Sequence, residues 1–140
     1  MRSSTSASSS STGTAPGWWS EVGAARLASD ERPGHVIELE VLTSWAQRLR
    51  GLLGTGPDAD PVMLARCPSI HTFGMRYPID VALVGELGEV LLVRRALPPR
   101  EFLAHPDACC AIERPAREGV WLEEGEHLWV TAVTPDTVGS

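Results

Sequence analysis

Short apolar runs, each ended by glycine or proline, are the feature that most limits what this chain can fold into. In Val36 to Val41, apolar residues at 37, 39 and 41 alternate with glutamates at 38 and 40. This is the pattern of a strand with one buried and one wet face. Residues 62–65, VMLA, form a continuous apolar run, which is typical of a strand covered on both faces. We therefore expect a mostly β protein.

Four more strands are predicted. Ile79 to Val84 and Val90 to Val93 flank the four residues Gly85 to Gly88, which indicates a β-hairpin. The last two strands are Ala108 to Glu113 and His127 to Val133.

Residues 98–107 contain a double proline, so they predict a surface loop with Phe102 and Leu103 beneath it. The segment SWAQRLRGLLG, residues 44–54, has helical spacing instead. Ser44 can cap its start, and a stripe of Trp45, Leu49, Leu52 and Leu53 predicts one short helix.

The predicted fold is a compact antiparallel, barrel-like sheet of about six short strands with one short helix. A closed or nearly closed barrel is favoured because closure removes exposed strand edges.

The chain has 140 residues and 43% hydrophobic content, enough for one core. Residues 1–17 are rich in serine and threonine and predict a disordered tail. The adjacent indoles of Trp18 and Trp19 indicate where a single domain, 18–135, begins. Residues 136–140 predict a second, shorter tail.

A net charge of -6 repels a phosphate backbone, so nucleic acid is not expected as a partner. No apolar run reaches the roughly 20 residues of a membrane-spanning helix, and the start lacks the apolar core of a signal peptide. A cytoplasmic protein is therefore expected, with a small molecule or a protein as its partner and no cofactor.

The three cysteines are too few for a disulfide scaffold. In a regular strand, Cys109 and Cys110 would point to opposite faces. Their expected role is as small buried apolar residues, and a redox role for the pair is the less favoured alternative.

The stretch HTFGMRYPID, residues 71–80, predicts an extended segment fixed by its glycine and proline. Its polar residues His71, Thr72, Arg76 and Asp80 form a candidate pocket. Asp80 and Arg76 could instead form a structural ion pair across Pro78, which is the slightly favoured interpretation.

Cys67 and His71 suggest a nucleophile and its base, but an extended chain holds them about 13 Å apart. A turn at Pro68 and Ser69 could bring them together. Cys67, His71 and Met75 recur every four residues and suggest a soft metal site, yet the prolines argue against a helix that would align them. No metal is therefore expected.

The strings LRGLLG, CPSIHTFGMRYPIDVALV, EVLLV and AIERPA together resemble the domain of unknown function 192 (DUF192) family. The likeness covers roughly residues 36–132 and implies a compact, largely β domain with one helix. That family has no settled activity. The expected function is a binding or accessory module with its site around HTFGMRYPID. The alternatives are a small hydrolase or transferase that uses Cys67 or His71, and a metal-binding protein.

Overall fold

A computed structural model of the chain describes residues 22–44, 51–52 and 55–135. These described residues form nine strands in two sheets. The strands are β1 (Val22–Ser29), β2 (Val36–Leu42), β3 (Val62–Ala65), β4 (Ser69–His71), β5 (Ile79–Gly85), β6 (Val90–Leu97), β7 (Phe102–Ala104), β8 (Ala108–Pro115) and β9 (Leu128–Pro135).

Several predictions concern residues outside these ranges. The two tails, the start of the domain at Trp18 and Trp19, and most of the predicted helix lie there. The described residues of the helical segment are Ser44, in a bend, and Gly51 and Leu52, in a turn. No helix is present in the part of the chain that the structure describes, so the predicted helix is not seen there.

The larger sheet has seven strands in the order β9-β1-β2-β3-β8-β5-β6, and the smaller sheet pairs β4 with β7. The prediction of an antiparallel sheet was wrong at one place, since β2 and β3 run parallel. A parallel pair needs a crossover connection of about a dozen residues or more. Residues 43–61 supply that length, so β3 can run in the same direction as β2.

Two apolar cores cover the two faces of the central strands β3, β5 and β8. Alternate residues along a strand point to opposite faces, so these strands contribute to both cores. In β5, for example, Ala82 and Val84 join the first core, and Ile79, Val81 and Leu83 join the second.

The clearest sequence patterns are confirmed. In β2 the apolar residues at 37, 39 and 41 are buried and the two glutamates are exposed. All four residues of β3 are buried, as a strand covered on both faces requires. β5 and β6 form the predicted hairpin, with β6 continuing to Leu97.

The prediction of a closed barrel was wrong. The end strands β6 and β9 do not pair with each other, although a bridge between Glu89 and His127 joins the sheet ends at one corner. At the open edge, the Val93 amide donates to the Glu124 carboxylate at 3.0 Å, while Trp121 packs into the first core. The amide of Val93 is therefore satisfied by a side chain instead of a neighbouring strand, while Val90 exchanges backbone hydrogen bonds with Gly125 and Glu126.

The prediction of a loop over residues 98–107 was also wrong in its centre. Residues 102–104 form β7 and pair with β4. Leu103 is buried as expected, but Phe102 on the opposite face is 64% exposed. The double proline ends β6, and a three-residue strand fits before the next proline.

Gly88 allows the hairpin turn to contact the start of β9. Its φ is +88°, and a side chain there would collide with the Leu128 carbonyl oxygen, while the Leu128 amide donates to the Gly88 carbonyl at 2.8 Å. We expect Gly88→Ala to lower the free energy of unfolding by about 1 to 2 kcal/mol. Urea denaturation will measure the loss, and Gly56→Ala, which meets nothing nearby and has no positive φ, should change it by less than about 0.5 kcal/mol.

Candidate functional site

The HTFGMRYPID stretch is not extended along its whole length. β4 ends at His71 and β5 begins at Ile79. Between them, the Met75 amide donates to the Thr72 carbonyl at 3.1 Å and closes a turn. Gly74 has a φ of 88°, a region that favours glycine. The prediction of an extended segment was therefore wrong in its middle, because the glycine makes a turn.

Thr72 anchors the connection between β6 and β7. Its side chain is fully buried. Its hydroxyl donates to the Pro98 carbonyl at 2.7 Å and accepts from the Glu101 amide at 2.8 Å. The Thr72 amide donates to the Glu101 carbonyl at 2.9 Å. These bonds give Thr72 a structural role that the sequence pattern did not indicate.

The other residues of the candidate pocket separate into exposed and buried positions. His71 and Arg76 are exposed. The His71 ring lies 5.6 Å from the ring of Phe73, which is 54% exposed, and Phe102 lies opposite His71 in the small sheet. Asp80 is buried in a different network. The shared pocket stays a prediction.

Asp80 is 1% exposed and lies at the centre of a charged network. Its Oδ2 accepts from Arg114 Nε at 2.8 Å, and its Oδ1 accepts from Arg95 Nε at 3.2 Å and from the Ala96 amide at 3.0 Å. Burial raises the pKa of Asp80, but the hydrogen bonds from Ala96, Arg114 and Arg95 outweigh it and hold the pKa below its usual value. Asp80 thus pairs with two arginines distant in sequence instead of Arg76.

A shallow groove of about 590 Å³ lies beside this network and is lined by Arg32, Arg95 and Trp121 among others. Its cations already have partners. Arg32 donates to Glu126 Oε1 at 2.9 Å and to the Trp121 carbonyl at 2.5 Å. Arg95 donates to Asp80 and to the Arg117 carbonyl at 2.8 Å. The groove therefore offers little charge that is not already committed to the fold.

Cys67 and Met75 pack against the second core. The Cys67 thiol donates to the Ser69 carbonyl at 3.0 Å, so the local chain does bend after Pro68. Among residues 22–44, 51–52 and 55–135, no group of three or more histidine, cysteine or acidic side chains is arranged to hold a metal ion.

A second cavity, of about 440 Å³, lies at the corner where the sheet ends approach each other. We call it the corner cavity. It is lined by residues of β1, β3, β5, β8 and β9 and by the hairpin turn, namely Leu27, Met63, Val84, Gly85, Glu86, Leu87, Gly88, Cys109, Cys110, Ile112, Leu128, Trp129 and Val130. Most of these side chains are apolar. The two thiols and Glu86 are the polar side chains of its wall.

A β-bulge places both thiols on this cavity. In the pairing of β5 with β8, Val84 faces Cys110 and Gly85 faces Ala108, so Cys109 is the extra residue. A bulge changes the direction in which a side chain points. Cys109 and Cys110 consequently line the same cavity, and the expectation that they point to opposite faces was wrong.

The two thiols differ in acidity because they interact. A hydrogen bond from the Cys110 side chain lowers the pKa of Cys109 to about 7, against the opposing effect of burial. The same hydrogen bond, together with burial, raises the pKa of Cys110 well above its usual value. Cys109 is partly exposed. A partly exposed thiol with this pKa is substantially ionised at neutral pH and therefore nucleophilic.

The sequence contained one signal for this site, the adjacent cysteines. It did not indicate the bulge, because the bulge depends on how β8 pairs with β5, and the pattern of β8 alone does not contain that register.

Two solved structures have a similar fold. A "putative transcription regulator" from Sinorhizobium meliloti superposes with a TM-score of 0.61 at 17% identity, covering 79% of this chain and 95% of that one. A protein of unknown function from Novosphingobium aromaticivorans gives a TM-score of 0.61 at 16% identity, covering 77% and 84%. At these identities the likeness extends to the fold alone. The sequence profile of no known family matches the chain, and no curated protein sequence matches it.

Proposed function

We propose that this chain is a small binding domain that takes a small apolar molecule into the corner cavity. The observation that carries the proposal is the cavity itself. Its volume of about 440 Å³ lies within the usual range of ligand sites, and its wall combines apolar side chains with few polar groups. A thiol of lowered pKa on the wall is a further feature of functional sites.

The other candidate positions support ligand binding less well. The arginines of the shallow groove are bonded within the protein. The exposed end of HTFGMRYPID presents the rings of His71 and Phe73 on the surface, and neither residue lines the corner cavity or the shallow groove. A nucleophile–base pair of Cys67 and His71 would need the two side chains to meet, whereas the Cys67 thiol donates to the Ser69 carbonyl and the His71 ring contacts Phe73.

We also infer membership of the DUF192 family, on the strings given above. A role in transcription like that suggested for the Sinorhizobium protein is less well supported, because a net charge of -6 disfavours binding to DNA. In the described part of the chain, no helix has the length and apolar character to cross a bilayer.

The proposal predicts that the apolar fluorophore N-phenyl-1-naphthylamine binds the protein saturably and that Val130→Trp blocks it. Val130 is partly buried and lines the cavity, so an indole there occupies the ligand volume. We expect the fluorescence titration of Val130→Trp to show a dissociation constant at least about tenfold higher than wild type, a loss of about 1.4 kcal/mol.

The matched control is Val133→Trp, on the same strand and 51% exposed, which should bind the fluorophore as wild type does. Circular dichroism and melting temperature show whether both variants fold. Equal affinity in the folded Val130→Trp variant, or no saturable binding to wild type, would exclude the corner cavity as the site.

A further inference from the structure

We propose that Cys109 and Cys110 form a two-sulfur chelating site for a soft trivalent centre, of which an organic arsenical is the simplest case. This inference rests on the proposed function, because the site is the same cavity. It names the chemical class of ligand that the two thiols of the cavity wall would bind. The bulge in β8 turns both thiols toward one cavity. Both residues line the corner cavity and are neighbours in the chain, so a single ligand in the cavity meets both of them.

The site differs from a pair of cysteines that face each other by chance. The Cys109 carbonyl accepts from the Cys67 amide at 2.8 Å, and Cys110 packs against the first core and donates to the Val84 carbonyl at 3.9 Å. These contacts hold the Cys109 backbone and the Cys110 side chain in place. Thiolate sulfur is the protein ligand that soft centres prefer. The sulfurs are thus positioned before the ligand arrives, which reduces the entropy lost on binding.

The reaction with phenylarsine oxide is balanced without any redox partner. The Cys109 thiolate attacks arsenic first, since it is the ionised member of the pair. The Cys110 thiol then forms the second arsenic–sulfur bond. The arsenic–oxygen bond breaks, and the oxygen leaves as water with one proton from the Cys110 thiol and one from solvent, which replaces the proton that Cys109 released when it ionised. Arsenic stays trivalent and neither sulfur is oxidised. The phenyl ring is left facing the apolar wall of the cavity.

The test is a thiol count and a mass measurement on the full chain. The wild-type protein has three cysteines. After one equivalent of phenylarsine oxide, we expect one adduct per chain, and Cys67 should be the one thiol still available to an alkylating reagent in peptide mapping. A dithiol such as 2,3-dimercaptopropanol should remove the adduct, whereas the same concentration of thiol groups supplied as 2-mercaptoethanol should not, because a monothiol lacks the chelate effect.

Matched variants assign the sulfurs. Cys67→Ser should keep the adduct, whereas Cys109→Ser and Cys110→Ser should each lose the dithiol-specific adduct. Cys110→Ala is a second choice if the serine variant unfolds. The proposal is overturned if Cys109→Ser binds phenylarsine oxide as wild type does, or if peptide mapping of treated wild type finds Cys109 and Cys110 both unprotected.

A comparison with arsenite separates this proposal from the binding of apolar molecules. Arsenite has no phenyl ring and needs little space. It should therefore still protect Cys109 and Cys110 of the Val130→Trp variant from alkylation, even though that variant no longer binds N-phenyl-1-naphthylamine. Protection by arsenite with no fluorophore binding to wild type would support the dithiol and overturn the apolar ligand. Fluorophore binding to wild type without protection of the cysteines by either arsenical would support the apolar ligand and overturn the dithiol site.

Discussion

Asp80→Ala is expected to lower the free energy of unfolding by about 3 to 5 kcal/mol at pH 7. The variant leaves Arg114 without its carboxylate partner, and the Arg114 side chain is only 11% exposed. It also removes the acceptor of the Ala96 amide. Breaking a buried pair on one side leaves a charge that is largely shielded from water, and this cost exceeds the value of the pair itself. Urea denaturation followed by circular dichroism will measure it.

Two control variants sharpen the result. Arg76→Ala removes the exposed arginine that the sequence pattern predicted as the partner of Asp80. It should change the free energy of unfolding by less than about 0.5 kcal/mol. The double variant Asp80→Ala/Arg114→Met removes both charges and keeps an unbranched side chain to pack on Trp121, over which Arg114 lies at 4.5 Å. It should be more stable than Asp80→Ala alone. A large loss in Arg76→Ala would contradict the observed pairing.

The effect of Asp80 should depend on pH in a defined direction. Its folded pKa lies below the reference value of 3.8. The ionised carboxylate therefore contributes stability that is fully present above the unfolded pKa and is lost as the pH falls through the folded pKa. We expect the difference between wild type and Asp80→Ala to be constant above about pH 5 and to shrink in acid.

Local patterns predicted the elements that depend on local sequence. The alternation in β2 and the turn glycines of the hairpin are determined by neighbouring residues, and both elements are confirmed. β1, VGAARLAS, was not predicted because its glycine and alanines give little apolar contrast, although Ala25 and Leu27 are buried on one face. β4 and β7 were also missed, because each has only three residues.

The features that define the site depend on contacts between distant residues. Arg95 and Arg114 reach Asp80 from 15 and 34 positions away in the chain, and nothing in HTFGMRYPID indicates them. The bulge at Cys109 exists only in the register between β5 and β8. The corner cavity likewise is lined by strands distant in the chain, beside the Glu89–His127 bridge between the sheet ends. Sequence patterns therefore predicted six of the nine described strands, whereas the site depends on how the strands pair.

Glu113→Leu is expected to stabilise the protein at pH 8 by roughly 2 to 3 kcal/mol. Glu113 lies on β8 between Val62 and Val81 on the neighbouring strands and is 5% exposed. No hydrogen bond or ion pair joins its carboxyl group to another described residue. Burial raises its pKa from 4.5 to about 7. A leucine of similar size removes the cost of an unpaired buried charge and packs among the apolar neighbours.

The pH dependence distinguishes this explanation from a general gain in packing. The folded state keeps the proton on Glu113 up to about pH 7, whereas the unfolded chain releases it near 4.5. Because the folded state binds more protons in that window, Glu113 makes the wild type lose stability as the pH rises from about 4.5 to 7, with no further loss above. Glu113→Leu should lack this loss, so its advantage over wild type should grow through the window and then stay constant. Glu40→Leu, exposed on β2 of the same sheet, should show no such advantage. An equal gain at pH 4 and pH 8 would mean that packing, and not the proton, accounts for the effect of Glu113→Leu.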